Sequence, residues 1–323
     1  MVDQKLRVGI IGAGMMTCNY DSPQSKNILT HAHAISLSDS FELAGFYDIN
    51  SESRLRAADK WQTREFKTLL EVKEKSDIIC CGVPDDVHYQ ILKQFYEADS
   101  VKGIICEKPI TTNISEAEEL ICRFNSRHIP IIVNYSRRFM SAFRELKNEI
   151  RQYGKLIVGS CYYGKGLFHN CSHMINILDF LLDLSNYKCV EIFDCVMDHD
   201  ANDLSVEFLM SDRQSKLFFH VIPCTVTTAF QFELFFEQGK VVYDDATEEI
   251  RCYDVEKSEK FAGYTNYKYS ITRVANRNEA LLTLYKDVER LIKSGGENYS
   301  DGGSAVSTLK KCIEISKIER GKL

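Results

Sequence analysis

The sequence predicts an α/β protein whose first half forms a parallel sheet, and three observations carry this prediction. Short apolar runs alternate with segments of helical periodicity over the first 135 residues, and several runs end in glycine, aspartate or proline. Strands that alternate with helices form right-handed βαβ units, which build parallel sheets. In the second half, closely spaced runs of β-branched and aromatic residues predict further strands.

Apolar runs place the strands of the first half, and each run is short enough to be a buried strand. The predicted strands are Leu6–Ile11, Phe41–Tyr47, Asp77–Val83, Lys102–Cys106 and Ile129–Val133. Helical spacing predicts the connecting helices over His31–Ser38, Ser51–Trp61, Asp86–Ala98 and Ser115–Asn125. Ligands bind at the carboxyl ends of parallel strands, so the residues that follow these strands form the predicted functional edge.

The second half of the chain is predicted to contain a sheet followed by two helices. Its predicted strands are Tyr153–Tyr163, Tyr187–Met197, Ser205–Met210, Lys216–Ile222, Phe230–Phe236 and Lys240–Tyr243. The predicted helices are Ala275–Ser294 and Gly303–Arg320.

The composition is that of an ordinary folded protein, and it excludes several functional classes. The 323-residue chain has a net charge of −6, so it lacks the basic surface of a nucleic-acid-binding protein. No apolar run is long enough to span a bilayer, and the N-terminus lacks the features of a signal peptide. The twelve cysteines include no Cys-x-x-Cys pair, so we expect reduced thiols in a cytoplasmic protein and no bound metal.

A glycine pair directly follows the first predicted strand. Gly12 permits a tight turn and Gly14 lets the backbone approach a pyrophosphate, which together begin a dinucleotide-binding fingerprint. Thr17 stands at the third fingerprint position, and a lone Gly-x-Gly also fits an ordinary strand-to-helix turn. We assign Met15 and Met16, the next two residues, to the same cofactor site.

Asp48 ends the second predicted strand and is the candidate for binding the adenosine ribose. It lies 36 positions after Gly12, farther than the fingerprint's spacing of about 20. An insertion over Cys18–Asn27, rich in turn-forming residues, explains the difference. Asp48 also fits a turn residue that closes the strand. No arginine follows it within five positions to meet a 2′-phosphate, so the sequence favours NAD over NADP.

Three further motifs point to a known family. They are Glu107-Lys108-Pro109, Val83-Pro84 followed by His88, and Val133-Asn134-Tyr135-Ser136-Arg137-Arg138-Phe139. With Gly12-Ala13-Gly14, they make the chain resemble the glucose–fructose oxidoreductase, inositol dehydrogenase and rhizopine catabolism family (Gfo/Idh/MocA). The matching motifs cover residues 1–185.

The resemblance implies a two-domain architecture. The first domain, residues 1–135, is expected to be a Rossmann fold with a doubly wound parallel sheet. The second, residues 136–323, is expected to be an α/β domain with a large, mostly antiparallel open sheet. In the family this domain binds substrate and forms the oligomer contact, so a homodimer or homotetramer through the sheet is expected.

The resemblance makes Lys108 the catalytic lysine. In the family, the lysine of Glu-Lys-Pro contacts both the nicotinamide ribose and the reacting sugar carbon. Pro109 keeps the backbone of Lys108 out of the α region, which limits where the ammonium points. The alternative is a surface lysine at a strand end. The same resemblance assigns further residues to the cofactor site: Val83, Pro84, His88, Glu107 and Lys108 itself.

The family's second motif, Asp-x-Gly-x-His-x-x-Asp, is only partly kept. His173 matches its catalytic histidine, whereas His169, Cys171 and Asn176 replace its Asp, Gly and Asp. Residues 169, 173 and 176 share one face if the helix extends that far back. Two histidines four apart also have metal-ligand spacing, but the sequence offers no third ligand and the family uses no metal here. We expect His169 to assist His173 in catalysis; the alternative is two polar residues on a solvated helix start.

Polar residues near these motifs are the candidates for binding substrate: Asn134, Arg138, Lys165, Asn170 and Asn176. Arg138 fits a salt bridge within the fold equally well. His31 and His33, on the first predicted helix, are assigned to packing or to contact with the cofactor loop.

The resemblance predicts an NAD-dependent oxidoreductase that acts on a sugar, a sugar acid or a nucleotide-linked sugar. Lys108 and His173 are expected to act at the reacting carbon. Two alternatives stay open: an NAD-using glycosidase of the same family, and a non-catalytic dinucleotide-binding sensor or regulator. The expected partner is the small-molecule substrate, with no nucleic acid and no membrane.

Overall fold

The computed structural model describes residues 4–200 and 202–321, with the side chains of His199 and Arg320 outside the description. Contacts divide the chain into two compact units. The first unit comprises Met1–Phe139 with Arg277–Val306, and the second comprises Met140–Asn276 with Ser307–Leu323. The first unit therefore includes residues from late in the chain. The division into functional domains after residue 135 stays a prediction.

The first unit is built on a six-stranded sheet in the order β3-β2-β1-β4-β5-β6. Its strands are β1 (Leu6–Ile11), β2 (Phe41–Tyr47), β3 (Glu65–Phe66), β4 (Ile78–Cys81), β5 (Gly103–Cys106) and β6 (Ile131–Val133). Every pairing in this sheet is parallel. The order runs outwards from β1 in both directions, which confirms the predicted doubly wound arrangement. β1 and β2 have the predicted bounds, whereas β3 was not predicted.

Nine α-helices of four or more residues lie in the described part of the chain. They are α1 (His31–Ser36), α2 (Ser51–Lys60), α3 (Leu69–Lys75), α4 (His88–Leu92), α5 (Ile114–Ser126), α6 (Ser141–Glu149), α7 (Ser172–Leu182), α8 (Arg277–Ser294) and α9 (Gly302–Arg320). The sequence did not predict α3 and α6. The helix predicted over Asp86–Ala98 is broken, because 3₁₀ turns at Asp85–Val87 and Lys93–Phe95 flank the short α4.

Polar caps explain where helices of the first unit begin. The side chain of Thr30 accepts a hydrogen bond from the backbone N–H of His33 at the start of α1. Asn50 and Asn113 cap α2 and α5 in the same way. Such caps satisfy backbone donors that have no partner within the helix. Because Thr30 is the cap, His31 becomes the first residue of α1.

The central strands of the first unit are fully enclosed. All four residues of β4 and all four of β5 are buried, as expected for parallel strands covered on both faces. Only the residues that follow each strand are therefore available to a ligand, which directs attention to the carboxyl edge of the sheet.

The second unit is built on an eight-stranded sheet in the order β14-β13-β12-β11-β7-β10-β9-β8. Its strands are β7 (Leu156–Tyr163), β8 (Lys188–Asp200), β9 (Asp203–Ser211), β10 (Lys216–Val221), β11 (Phe230–Phe236), β12 (Gly239–Asp244), β13 (Glu249–Lys257) and β14 (Thr265–Val274). The β7–β10 pairing is parallel and the other described pairings are antiparallel. This confirms the mostly antiparallel sheet, although β13 and β14 were not predicted.

Two expected absences can be checked only in the residues that the structure describes. None of the helices in the described ranges has the length and apolar character to cross a membrane. Among the same residues, no group of three or more His, Cys, Asp or Glu side chains is arranged to hold a metal ion. The prediction that the N-terminus is not a signal peptide falls in part on residues 1–3, which lie outside the described residues.

Candidate active site

The glycine turn after β1 requires glycine at one position and leaves open space at the other. Gly12 has a φ of +95°, and a Cβ at this position would lie 2.5 Å from the carbonyl oxygen of Gly82. At Gly14 the nearest atom to such a Cβ would be 3.8 Å away. Gly12 is therefore needed for the turn itself, whereas Gly14 leaves the backbone accessible. Met15 and Met16, which follow, are both exposed.

Thr17, at the third fingerprint position, closes the turn. Its hydroxyl donates a hydrogen bond to the carbonyl oxygen of Gly12 at 2.7 Å, and the residue is fully buried. Its methyl group packs against Gly82, where a Cβ would lie only 2.4 Å from Thr17 Cγ2. The fingerprint uses glycine here so that helix and strand can approach closely. In this chain Gly82, on the neighbouring loop, provides that room instead.

Asp48 lies at the carboxyl end of β2, beside the glycine turn. Its Oδ2 accepts a hydrogen bond from the backbone N–H of Ala13 at 2.8 Å, and its Oδ1 accepts one from Asn50 at 2.8 Å. The first arginine after it, Arg54, pairs with Glu65 at 2.8 Å and also donates to the carbonyl oxygen of Asp48. The structure therefore brings Asp48 to the glycine turn, while its part in ribose binding stays a prediction.

The insertion between the glycine turn and α1 is held by one buried carboxylate. Asp21 accepts hydrogen bonds from the backbone N–H groups of Leu29 and Thr30, at 2.6 and 3.1 Å, and from the Thr30 hydroxyl. His33 Nδ1 lies 2.8 Å from the same carboxylate, and both side chains are almost fully buried. His33 therefore has a packing role, and Asp21 fixes the point at which α1 begins.

Lys108 follows β5 and is half-buried, next to a carboxylate that is held from two sides. Glu107 Oε1 accepts a hydrogen bond from Asn134 Nδ2 at 2.8 Å and lies 3.0 Å from His31 Nε2. Burial alone would raise the pKa of Glu107, but these contacts and the charge of Lys108 lower it below its usual range. Glu107 is therefore an anion at neutral pH.

His31, which the sequence assigned to packing or to contact with the cofactor loop, is a partner of Glu107. The ring is fully buried, with Nδ1 3.1 Å from the hydroxyl of Tyr285 and Nε2 on Glu107. Burial acts to lower its pKa, but interactions with Cys80 and Glu107 outweigh it and raise the pKa to about 10. The available signal was its place as first residue of the helix after the glycine turn, and no local pattern identifies its partners.

His88 joins two of the strand-end loops. Its ring nitrogens lie 2.9 Å from the carbonyl oxygens of Pro109 and Val83, and the residue is fully buried. Both nitrogens are therefore engaged by backbone, so His88 positions the loops after β4 and β5 that carry Val83 and Lys108. Pro84, between these contacts, is exposed.

Asn134 and Arg138 follow β6 and are both nearly fully buried. Asn134 donates through Nδ2 to Glu107, and its Oδ1 has no hydrogen-bond partner among the residues that the structure describes. A buried acceptor without a donor is rare, because its desolvation is then uncompensated. Arg138 donates to the carbonyl oxygen of Tyr299 at 3.0 Å, within the same unit. Arg138 therefore has a structural contact, and its substrate role stays a prediction.

The histidine segment of the second unit starts differently from the prediction. A π-helical turn, Gly166–Cys171, precedes α7, so the chain is helical before Ser172 but wound more widely. Its wider turn breaks the simple four-residue alignment of positions 169 and 173. His169 is exposed, His173 is half-buried and Asn176 is buried.

Two aspartates missed by the sequence reasoning hold this segment. Asp203 accepts hydrogen bonds from the backbone N–H groups of Phe168 and His169, at 2.8 and 2.7 Å. Asp198 accepts one from the backbone N–H of Lys165 at 2.5 Å, where the lysine has a φ of +64°. Both aspartates lie in the β8–β9 hairpin region, which no local motif connects to the histidines.

The remaining predicted residues of this segment make local contacts. Asn170 donates to the carbonyl oxygen of Gly164 at 3.0 Å, and Asn176 donates to the hydroxyl of Thr308 at 2.9 Å. Asn176 is only 1% exposed, at a position where the family motif has an aspartate. A cavity of about 540 Å³ elsewhere in this unit contains none of the predicted site residues in its lining.

The first unit fits a dinucleotide. Gly14 leaves room for the ligand to approach the backbone. The half-buried carboxylate of Asp48 can accept hydrogen bonds from hydroxyl groups, and Oδ1 of Asn134 is a second acceptor. All three follow strands of one parallel sheet, where such ligands bind.

Known proteins resemble part of this chain in sequence. Residues 6–135 match the model of the GFO_IDH_MocA family, described as an oxidoreductase family with an NAD-binding Rossmann fold. The UDP-N-acetylglucosamine 3-dehydrogenase of Acidithiobacillus ferrooxidans is 25% identical over 44% of this chain and 41% of its own length. Rhizopine catabolism protein MocA of Rhizobium meliloti is 24% identical over 49% of this chain and 47% of its own length. Matches to three further oxidoreductases cover 37–43% of those proteins, so the chain spans about two-fifths of their length.

Solved structures extend the likeness in fold to the whole chain. The Acidithiobacillus ferrooxidans UDP-N-acetylglucosamine 3-dehydrogenase has a TM-score of 0.75 at 16% identity, covering 97% of each chain. An inositol dehydrogenase homologue from Azotobacter vinelandii, complexed with NADH and myo-inositol, has a TM-score of 0.75 at 13% identity, covering 99% of this chain and 97% of its own. The family match spans the glycine turn, Asp48 and the Glu-Lys-Pro tripeptide. In sequence, the likeness to the GFO_IDH_MocA family of oxidoreductases, with its NAD-binding Rossmann fold, is therefore found over residues 6–135 of this chain.

Proposed function

We propose that the protein is an NAD-dependent dehydrogenase or reductase acting on a hydroxyl group of a sugar, a sugar acid or a nucleotide-linked sugar. The observation that carries the proposal is the shared position of three groups. The glycine turn follows β1, Asp48 follows β2 and Lys108 follows β5, so all three lie at the carboxyl edge of one parallel sheet. Dinucleotides bind at this edge in doubly wound folds.

The chain's own residues have distinct proposed roles. Gly12 and Gly14 admit the pyrophosphate, and Asp48 accepts hydrogen bonds from the adenosine ribose. Lys108 donates a hydrogen bond to the reacting oxygen, and His173 takes or returns the proton of the hydroxyl group. When bound, the nicotinamide accepts or supplies the hydride. The assignments to Lys108 and His173 are supported by the family resemblance of their motifs.

The preference for NAD over NADP is tested by binding. Asp48 disfavours a 2′-phosphate, and Arg54 is already paired with Glu65. The single tryptophan, Trp61, donates a hydrogen bond to the carbonyl oxygen of Cys18 near the glycine turn, so its fluorescence is a convenient probe. NADH should bind more tightly than NADPH, and tighter binding of NADPH would overturn this assignment.

Turnover tests the activity itself. A panel of sugars, sugar acids and UDP-sugars is incubated with the protein and NAD, and absorbance at the NADH band is followed. Lys108→Met should lower turnover by orders of magnitude. Lys102→Met is the matched control, because Lys102 precedes the same strand, is half-exposed and has its ammonium paired with Asp77 at 3.1 Å. Equal turnover of the two variants would remove Lys108 from the catalytic residues.

One observation keeps the non-catalytic sensor as a second candidate. Asn176, at a position where the family motif has an acid, is buried and bonded to Thr308. A protein that binds NADH with unchanged affinity in Lys108→Met and turns over no member of the panel would favour the sensor. Hydrolysis of a glycoside with no net NADH would instead identify the NAD-using glycosidase.

The resemblance also supports a homodimer or homotetramer through the sheet of the second unit. Large apolar side chains on its outer strands are exposed, among them Phe193, Met197 and Tyr269. Light scattering should give a multiple of the 37.1 kDa chain mass, and Phe193→Glu should reduce it. A cytoplasmic location belongs to the same proposal, because free cysteines such as the buried Cys80 and Cys81 persist in reducing compartments.

A further inference from the structure

Largely buried polar side chains form a hydrogen-bonded chain that reaches Glu107, the residue before Lys108. The hydroxyl of Tyr285, on α8, lies 3.1 Å from His31 Nδ1, and His31 Nε2 lies 3.0 Å from Glu107 Oε1. Asn134 donates to the same oxygen at 2.8 Å. Residues from α1, from α8 and from the loop after β6 thus converge, directly or through His31, on the carboxylate that immediately precedes Lys108.

Two cations, His31 and Lys108, interact with the charge of Glu107. A buried carboxylate requires a partner, because an uncompensated charge in the interior is strongly unfavourable. Lys108 is the covalent neighbour and its charge already contributes to the low pKa of Glu107. His31 is the better placed counter-ion, because its ring is fully buried and directly hydrogen-bonded to the carboxylate. Burial acts to lower the pKa of His31, but Cys80 and Glu107 raise it to about 10.

We propose that His31 is a positioning residue that acts through Glu107. As an imidazolium it neutralises the Glu107 carboxylate, so the ammonium of Lys108 is not needed as the counter-ion and remains directed to the reacting oxygen of the substrate. The proposal rests on the proposed function, in which Lys108 contacts that oxygen. The hydroxyl of Tyr285 contacts Nδ1 of His31, and Asn134 donates to Oε1 of Glu107, so both side chains of the ion pair are held in place.

Other ionisable groups face this pair and stay unchanged in the variants below. Cys80 interacts with His31 and Tyr285 from β4, and Cys106 interacts with Glu107 from β5. Asp85 and His88 follow β4, and Asp85 interacts with both Glu107 and Lys108. A double substitution at His31 and Glu107 therefore tests whether a change in the titration of Lys108 arises from this pair.

Site-resolved acetylation of Lys108 tests the proposal without any need for substrate. The protein is treated briefly with acetic anhydride over a range of pH, and mass spectrometry of the peptide containing Lys108 gives the midpoint of its reactivity. Lys102, half-exposed at the start of the same strand, is the internal reference. In His31→Gln, Glu107 loses its counter-ion, and the unneutralised carboxylate favours the charged form of Lys108. The pH midpoint of Lys108 acetylation should therefore rise by about one pH unit, while the midpoint for Lys102 stays unchanged.

The double variant His31→Gln, Glu107→Gln should return the midpoint to the wild-type value, because both charges are then gone. An unchanged midpoint in His31→Gln, or the same shift in the single and double variants, would overturn the proposal. Glu107→Gln alone covers the case in which His31→Gln does not fold. The proposal expects little change in that variant, because His31 then loses the carboxylate that keeps it protonated and both charges disappear together. A fall in the midpoint would show that Glu107 pairs with Lys108 in the wild type. Because labelling requires no turnover, a shift in a protein that oxidises no sugar would refute the proposed function and leave the His31 device standing.

Discussion

Replacing Gly12 and Gly14 by alanine, one at a time, separates the folding role of the glycine turn from its ligand-binding role. Gly12 has a φ of +95°, and a Cβ there would lie 2.5 Å from the carbonyl oxygen of Gly82. The left-handed backbone costs ~1–2 kcal/mol and the contact with fixed backbone adds ~1–3 kcal/mol. We expect Gly12→Ala to lower the free energy of unfolding by about 2–5 kcal/mol, a large part of the ~5–15 kcal/mol of a typical domain.

Gly14→Ala is the matched control for folding and the active perturbation for binding. Gly14 has an ordinary φ of −88°, and the nearest atom to a Cβ there is 3.8 Å away. Its stability should therefore stay within about 0.5 kcal/mol of the wild type. The added methyl group nevertheless occupies the approach to the pyrophosphate, so we expect NADH affinity to fall by about tenfold or more.

Two measurements decide this prediction. Urea unfolding followed by circular dichroism gives the free energy of unfolding, and quenching of Trp61 fluorescence gives NADH affinity. The reasoning is refuted if Gly14→Ala is destabilised as much as Gly12→Ala. It is equally refuted if Gly14→Ala binds NADH as tightly as the wild type, because the open space would then have no role in binding.

Three other predictions follow from the titratable groups. Because folding raises the pKa of His31 from 6.5 to about 10, its stabilisation is complete below the unfolded value and is lost as the pH rises towards 10. Urea unfolding should show this loss, at up to about 1.4 kcal/mol per pH unit, and His31→Gln should flatten the profile. Asp21→Asn should cost ~3 kcal/mol in thermal or urea unfolding, because it breaks a buried pair, whereas Asp39→Asn, at an exposed position, should be nearly neutral. Once a substrate is known, His173→Ala should abolish turnover and His169→Asp should shift the pH–rate profile upward, and an unchanged acid limb in His169→Asp would show that the two positions do not interact.

The parallel sheet was predictable because its signal is local. β1 and β2 are apolar runs bounded by turn residues, and their observed limits match the predicted ones. β14 lacked such a signal, since most of its residues are exposed and no buried alternation marks it. α4 was overestimated, because residues with helical spacing on either side form 3₁₀ turns instead. Local periodicity therefore predicted the buried elements better than the exposed or irregular ones.

The candidate site was predictable only where a motif names its residues. The sequence located Gly12, Asp48 and Lys108 through patterns that have a known chemical reason. It missed Asp203, whose contacts with the histidine segment depend on a hairpin more than 30 residues away in sequence. It also assigned His31 only to packing or to contact with the cofactor loop, because its contact with Glu107 spans 76 positions. Side chains that act by supporting a motif residue leave no local pattern.

The insertion after the glycine turn shows how a departure from the fingerprint can leave its geometry intact. Its first end is held where Lys60 and Trp61 donate hydrogen bonds to the carbonyl oxygen of Cys18, at 2.7 and 3.1 Å. Its last end is held where Asp21 fixes the backbone at the start of α1. The extra residues are thus closed into a loop between two fixed points, and Asp48 still reaches the glycine turn at 2.8 Å from the backbone nitrogen of Ala13.

The anchor at Asp21 explains why the insertion and the strand end after β5 depend on each other. Asp21 sets where α1 begins, and the first residue of α1 is His31, which contacts Glu107. Loss of the Asp21 carboxylate should therefore act twice, by lowering the stability of the first unit and by displacing His31 from Glu107. In the labelling experiment, Asp21→Asn should consequently raise the midpoint of Lys108 reactivity in the same direction as His31→Gln. An Asp21→Asn protein that is destabilised but keeps the wild-type midpoint would show that α1 holds His31 in place without the insertion.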